Sequence, residues 1–156
     1  MLKIRILGIG KDKERWVSES CAHFVKLLKR YAHVEFEYIP ALKAASSLST
    51  EEIKAAEAER FRSRLGDDWL VALSDRGKKV DSHAFASLLE KIQVQSGGKV
   101  TFLIGGPYGL HESLLVQADL TLSLSPLTFS HQVVRLVLLE QLYRGFSILS
   151  GTAYHK

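Results

Sequence analysis

With 156 residues and 46% hydrophobic content, the chain can bury one sizeable core, and a single domain spanning 1–156 is expected. No run approaches the roughly 18 consecutive apolar residues of a membrane span, and Met1-Leu2-Lys3-Ile4-Arg5-Ile6 alternates like a strand rather than reading as a signal peptide, which predicts a soluble, cytoplasmic protein. One cysteine, Cys21, excludes an intrachain disulfide or a zinc site built on several cysteines, and 21 Lys+Arg against 17 Asp+Glu leaves a net charge of +4 that suits an anionic partner without demonstrating one.

Residues 2–9 and 34–39 read as strands, the second with Val34, Phe36 and Tyr38 alternating against Glu35 and Glu37. Between them Val17, Cys21, Phe24, Val25 and Leu28 form one apolar helical stripe, with Lys26, Lys29 and Arg30 left to solvent. A serine-rich loop after Pro40 leads to Ser49-Thr50-Glu51-Glu52, a capping box that starts a second helix. Trp69-Leu70-Val71-Ala72-Leu73 reads as a buried strand ending in a turn at Ser74-Asp75-Arg76-Gly77. Ser82 is placed to cap the next helix, whose Phe85, Leu88, Leu89 and Ile92 keep helical spacing until Gly97-Gly98. Lys99 to Ile104 is another strand, followed by a glycine-rich turn at 105–109, a short helix, a strand from Leu120 to Leu124 and a long helix from about Ser130 to Phe146. Strands alternating with helices imply an α/β fold, a mainly parallel sheet flanked by helices on both faces.

In such a sheet ligands bind beyond the carboxyl ends of the strands. Three places qualify: Leu73-Ser74-Asp75, Gly105-Gly106-Pro107-Tyr108-Gly109 and the run Leu124, Ser125, Pro126, Leu127, Thr128, Phe129. The glycines of the second serve equally as a tight turn or as a place where backbone approaches a ligand that a Cβ at Gly105 would obstruct. No Lys-Ser or Lys-Thr follows as a P-loop requires, and Gly8-Ile9-Gly10 lacks the third glycine of a dinucleotide fingerprint, Lys13 standing there instead.

Apolar residues spread almost all round the last helix, so it needs burial on every side, part of it against a second subunit. Near its start His131, Gln132 and Arg135 share one side; farther along Glu140, Gln141 and Arg144 share another, one group suited to a site and the other to an interface, with Glu140 and Arg144 also spaced as an ordinary i, i+4 pair. Tyr154-His155-Lys156 is either a frayed end or a hydroxyl, an imidazole and a cation held on the body by Ile148 and Leu149. Residues 105–156 carry three basic and three acidic side chains, so the basic excess lies in residues 1–104.

Taken in order, Phe102-Leu103-Ile104-Gly105-Gly106-Pro107-Tyr108-Gly109, Leu122-Ser123-Leu124-Ser125, Thr128-Phe129-Ser130-His131-Gln132 through Arg135, Glu140-Gln141-Leu142-Tyr143-Arg144 and Tyr154-His155-Lys156 resemble the RlmH family of SPOUT-class methyltransferases. Asp75-Arg76-Gly77-Lys78 resembles the family's corresponding turn, and the likeness covers essentially the whole chain. It implies a SPOUT-type α/β knot with a C-terminal trefoil, a homodimer, and transfer of a methyl group from S-adenosylmethionine to N3 of a pseudouridine in 23S rRNA on the assembled ribosome. It also assigns cofactor contacts to Leu73, Gly105, Leu124, Ser125, Pro126, Leu127, Thr128 and Phe129. Two positions depart from the family pattern: Pro126 stands where a basic residue is expected and Ser130 where proline is usual. Of the tail, His155 is the candidate for proton handling, Tyr154 for positioning the base and Lys156 for holding phosphate, a purely positioning role for all three being the alternative. No acidic cluster suggests a metal. The rival readings are a SPOUT methyltransferase of another RNA such as tRNA and a non-catalytic RNA-binding or ribosome-assembly protein.

Overall fold

The computed structural model describes residues 1–43 and 45–156, so one position of the serine-rich loop lies outside the described residues. Five strands, β1 (Leu2–Ile9), β2 (Ala32–Ile39), β3 (Trp69–Lys79), β4 (Lys99–Ile104) and β5 (Leu120–Ser123), form one sheet in the order β2-β1-β4-β3-β5. Every pairing is parallel. The helices are α1 (Arg15–Leu28), α2 (Thr50–Arg62), α3 (Ser82–Gln95), α4 (Glu112–Gln117) and α5 (Val133–Ser150), with a short 3₁₀ turn at Ala45–Ser47.

The period of two along β1 sorts its side chains between two cores. Ile4 and Ile6 join Val71, Phe102 and Leu122 in a core covered by α1, α3 and α5. Leu7 and Ile9 join Leu70, Ala72 and Leu103 in a smaller core under α2 and α4, anchored by Ala58, Phe61 and Leu114. The stripe expected on α1 buries Val17, Cys21 and Leu28, and burial with the nearby Asp12 charge pushes the Cys21 thiol up to about 11, so it stays a neutral core residue.

Local signals hold where the chemistry is local. The capping box forms: Ser49 Oγ accepts from Glu52 N at 3.2 Å and Glu52 Oε1 from Ser49 N at 3.4 Å. The cap of α3 is Asp81 rather than Ser82, its Oδ1 accepting from Ala84 N at 2.8 Å while Ser82 Oγ donates to Gln141 on α5. A carboxylate one residue earlier competes better for the free amide. Strand β3 does not stop at Leu73 but runs to Lys79, its register on β5 shifting between Leu73 and Lys78, which both pair with Leu122. Gly77 is what permits the shift, since a Cβ there would stand 2.6 Å from the Leu122 carbonyl carbon and 2.7 Å from its nitrogen. The last helix starts three residues later than expected and extends to Ser150. Ser130 precedes it, and its Oγ accepts from Val133 N at 3.1 Å.

Helix α5 packs on both α1 and α3, burying Leu138, Leu139 and Leu142 completely, each worth about 2 kcal/mol. Its most unusual buried residue is Arg135, with no exposed surface. The guanidinium donates to Asp12 Oδ1 at 2.7 Å, to the Ile9 carbonyl at 2.8 Å and to the Gly10 carbonyl at 2.6 Å. It lies over the Tyr38 ring at 5.0 Å, and the Tyr38 hydroxyl donates to Asp12 Oδ2 at 3.0 Å. A Cβ on Gly8 would meet Arg135 Nη2 at 3.4 Å, an ordinary contact. Gln132 completes the clamp, accepting from Lys13 N at 3.1 Å and donating to the Lys11 carbonyl at 3.2 Å. The Gly8-Ile9-Gly10 segment thus lies against the guanidinium, with the Ile9 and Gly10 carbonyls accepting from it.

Replacing Arg135 with methionine strands the Asp12 carboxylate and two carbonyls. A loss of about 3–5 kcal/mol is expected in urea unfolding; an unchanged midpoint would show that the pair contributes nothing net.

Candidate active site

The carboxyl ends of β4 and β5 and the Leu73-Ser74-Asp75 segment within β3 converge on one cavity of about 230 Å³. Of the residues assigned to it from sequence, Leu73, Gly105, Leu124, Ser125, Leu127, Thr128 and Phe129 all line it. Pro126 is exposed and is not among the lining residues. The lining also includes Asp75, Tyr108, His131 and Val134, absent from the expected contact set. Tyr108 follows the end of β4, and Asp75 follows the apolar run Trp69–Leu73, both legible in the sequence. His131 and Val134 come from the start of α5, whose closeness no local pattern encodes.

Two loops shape the cavity through internal bonds. In the glycine turn Gly109 N donates to the Gly106 carbonyl at 3.0 Å, and Gly109 has φ +83°. In the loop after β5, Ser123 Oγ donates to the Ser125 carbonyl at 2.9 Å and Leu127 N to Ser125 Oγ at 3.0 Å. Among the described residues neither Thr128 nor Phe129 makes a backbone hydrogen bond, which leaves those peptide groups for a ligand. The space behind the Gly105 α-carbon is occupied by the chain itself: a Cβ would meet the Gly109 carbonyl carbon at 2.5 Å and Leu110 N at 2.8 Å. The glycine is therefore required by the turn before any ligand arrives, so of the two readings open from sequence the tight turn holds.

Burial, reinforced by repulsion from Arg135 and Lys13, lowers the His131 pKa below the ordinary imidazole value, so the ring is neutral at neutral pH. Asp75 is exposed at the mouth and supplies a carboxylate.

The tail is not frayed, and it is not in this cavity either. Tyr154 Oη donates to Glu140 Oε1 at 3.1 Å, and its ring meets Tyr143 edge-on at 4.7 Å. Arg144 stacks over Tyr154 at 4.9 Å, and its Nη1 donates to His155 Nδ1 at 3.1 Å, placing the proton of the neutral ring on Nε2. Burial and the Glu140 charge raise the Tyr154 pKa, keeping the phenol protonated. The Glu140–Arg144 pair is thus an i, i+4 pair that also carries the tail. Its distance from Val134 along α5 is six to ten residues, about 9–15 Å. Within one chain the tail and the cavity are separate places.

A larger open groove, about 630 Å³, lies between the end of β2 and α2. It has no convergent strand ends, and its Arg60 and Arg64 are engaged by the Pro40 carbonyl and by Glu37.

Residues 2–155 match a family described as "Predicted SPOUT methyltransferase". The chain belongs to the SPOUT methyltransferase family. Among relatives, a protein of Acetivibrio thermocellus named "Ribosomal RNA large subunit methyltransferase H" is 42% identical over 161 residues, covering 99% of this chain and 100% of that one. A protein of the same name from Methylobacillus flagellatus is 39% identical, covering 99% of each. A solved structure, a probable methyltransferase from Bordetella pertussis Tohama I, superposes with TM-score 0.59 at 13% identity, covering 92% of this chain and 96% of that one, and shares the fold. This SPOUT methyltransferase is accordingly an enzyme that transfers methyl groups, and the cavity at β3, β4 and β5 is its candidate active site.

Because the backbone of Gly109 and Leu110 fills the space beside Gly105, Gly105→Val is expected to lower stability by about 1–3 kcal/mol, read as a drop in Tm. An unchanged Tm would mean that the turn yields freely and that only a ligand needs the glycine.

Proposed function

We propose that this SPOUT methyltransferase methylates N3 of a pseudouridine in 23S ribosomal RNA, on the assembled ribosome in the cytoplasm, using S-adenosylmethionine. The observation that carries this reading is a strand-end cavity lined by seven of the contact positions expected from the family pattern, in a chain whose full-length relatives are named for the large ribosomal subunit RNA.

The side chains present fit that donor. Leu73, Leu124, Leu127 and Phe129 offer apolar walls for a purine, and the peptide groups of Thr128 and Phe129 offer hydrogen bonds to its edge. When bound, the donor supplies a methyl group made electrophilic by a sulfonium cation. Asp75 balances that positive charge, and a neutral His131 adds no second cation beside it. The enzyme's remaining work is alignment of the acceptor nitrogen and removal of its proton. His155 is assigned to the proton, Tyr154 to positioning the base and Lys156 to phosphate.

None of those three residues lines the cavity of its own chain. We therefore assign a homodimer in which the tail of each subunit serves the cavity of the other. Support comes from α5, whose Leu136, Val137 and Tyr143 are only half-buried in the single chain. A recess of about 310 Å³ formed by Val80, Phe85, Leu124, Val137 and Gln141 also opens beside the cavity. The trefoil knot belongs to the same reading, supported by the close passage of Gly77 against the Thr121–Leu122 backbone.

Mass spectrometry of 23S rRNA from a strain lacking this gene should miss one methylated pseudouridine, restored by the gene in trans; an unaltered set of modified nucleotides would refute the assignment. Deleting 154–156 should leave dimerisation by light scattering and S-adenosylmethionine binding by calorimetry near wild type while ribosome methylation falls at least about 100-fold, the range of a lost acid–base group. Mixing that truncated chain with a full-length chain impaired in the cavity should recover activity in the hybrid dimer, and no recovery would place tail and cavity in one subunit.

A further inference from the structure

The clamp built on Arg135 fixes more than the wall of the cavity. It holds the β1–α1 loop rigidly, and that loop presents Lys11 and Lys13 to solvent beside His131, which feels the Lys13 charge. The acid between the two lysines, Asp12, is taken by Arg135, and Arg15 is balanced by Glu19. Among the described residues Lys11 and Lys13 have no ion-pair partner, and Glu14 is the exposed acid nearest in sequence.

On the opposite flank the extension of β3 carries Arg76, Lys78 and Lys79, all exposed. The ladder to Leu122 and Ser123 fixes the backbone of Lys78 and Lys79 beside β5. Arg76 leans on Glu112 at 3.3 Å, while Lys78 and Lys79 have no partner among the described residues. The sheet order puts the cavity, at β4, β3 and β5, between these two groups. Lys78 and Lys79 belong to β3 and pair with β5, so two to three strand spacings separate them from β1, about 10–14 Å, a span that a few nucleotides of single-stranded RNA can bridge. Each group is a pair of ammonium ions on hydrogen-bonded backbone, so only the side chains remain to be ordered when phosphate is met.

We propose that Lys11 and Lys13 on one flank, and Lys78 and Lys79 on the other, grip the RNA phosphates on either side of the target nucleotide and so centre it over the cavity. The proposal rests on the ribosomal RNA reading above and assigns the surface by which the substrate is held. Lysine suits the task because it meets phosphate as a mobile point charge, giving affinity without sequence preference.

The test compares Lys11→Glu/Lys13→Glu and Lys78→Glu/Lys79→Glu with Lys26→Glu/Lys29→Glu, an equal charge change on exposed residues in the last turn and at the C-cap of α1, away from the cavity lining. Steady-state methylation uses ribosomes from a strain lacking the gene. Each flank pair is expected to raise KM for ribosomes at least about 10-fold and to flatten the dependence of log affinity on log salt by about two units, one for each phosphate that is no longer neutralised. Calorimetric binding of S-adenosylmethionine should be unchanged, and the α1 control should keep the wild-type KM. Equal losses in the control would reduce the effect to net charge and overturn the proposal, as would a wild-type KM and salt slope in either flank variant. Wild-type enzyme that methylates no ribosomes would instead remove the substrate reading itself, and the proposal with it.

Discussion

The buried guanidinium of Arg135 is the interaction on which the other parts converge. One side chain from the first turn of α5 meets a carboxylate, two carbonyls and an aromatic face, all from the β1 end of the sheet. Burying an unpaired charge costs several kcal/mol, so the site is tolerable only because every neighbour supplies negative charge or π density, and even here Nε has no partner. The strength of the arrangement is its specificity. It fixes the rotation and position of α5 relative to β1, and hence where His131 and Val134 stand against β3, β4 and β5. The cavity wall and the lysine-bearing loop are two consequences of one clamp.

The remaining walls rest on close backbone contact. At Gly77 and Gly105 the α-carbon lies so near another segment that no side chain fits, against Thr121–Leu122 in one case and Gly109–Leu110 in the other. Both contacts join segments that flank the cavity. Its shape is thus built from backbone, which has few rotamers to vary and little freedom to lose on binding. Such preorganisation suits a reaction in which the protein mainly aligns two reactants, because the ordering has been completed during folding.

One helix carries both a wall of the cavity and the contacts that hold the tail. The first turn of α5 lines the cavity, while Glu140 and Arg144 farther along hold Tyr154 and His155. The charged pair that would ordinarily be a surface i, i+4 contact is half-buried by its aromatic neighbours. Distance along a rigid helix separates tail from cavity in one chain. The homodimer proposed above accounts for that separation by pairing the tail of one chain with the cavity of the other.

Sequence by itself determined the alternation of strands and helices, the cap at Ser49, the stop at Gly97-Gly98 and seven lining residues of the cavity, because each depends on periodicity, on hydrogen bonds within a few residues, or on an ordered motif. The likeness of those motifs to a known family carried the activity. Tertiary structure decided what depends on contacts between distant segments. Asp81 displaced Ser82 as a cap through a subtle local competition, but Arg135 found Asp12 across 123 residues, and Gln132 found Lys13 across 119. Gly8-Ile9-Gly10 lacked the third glycine of a nucleotide fingerprint, and folding sets its carbonyls against the guanidinium. Gly105 was open to two readings, and the chain passing itself there decides for the turn. Pro126 belongs to a lining segment by position and is not among the residues that line the cavity. A linear pattern records which residue types are present and how far apart they are along the chain; it holds no record of which space is already filled, and that is set only when the sheet orders its strands and α5 closes over them.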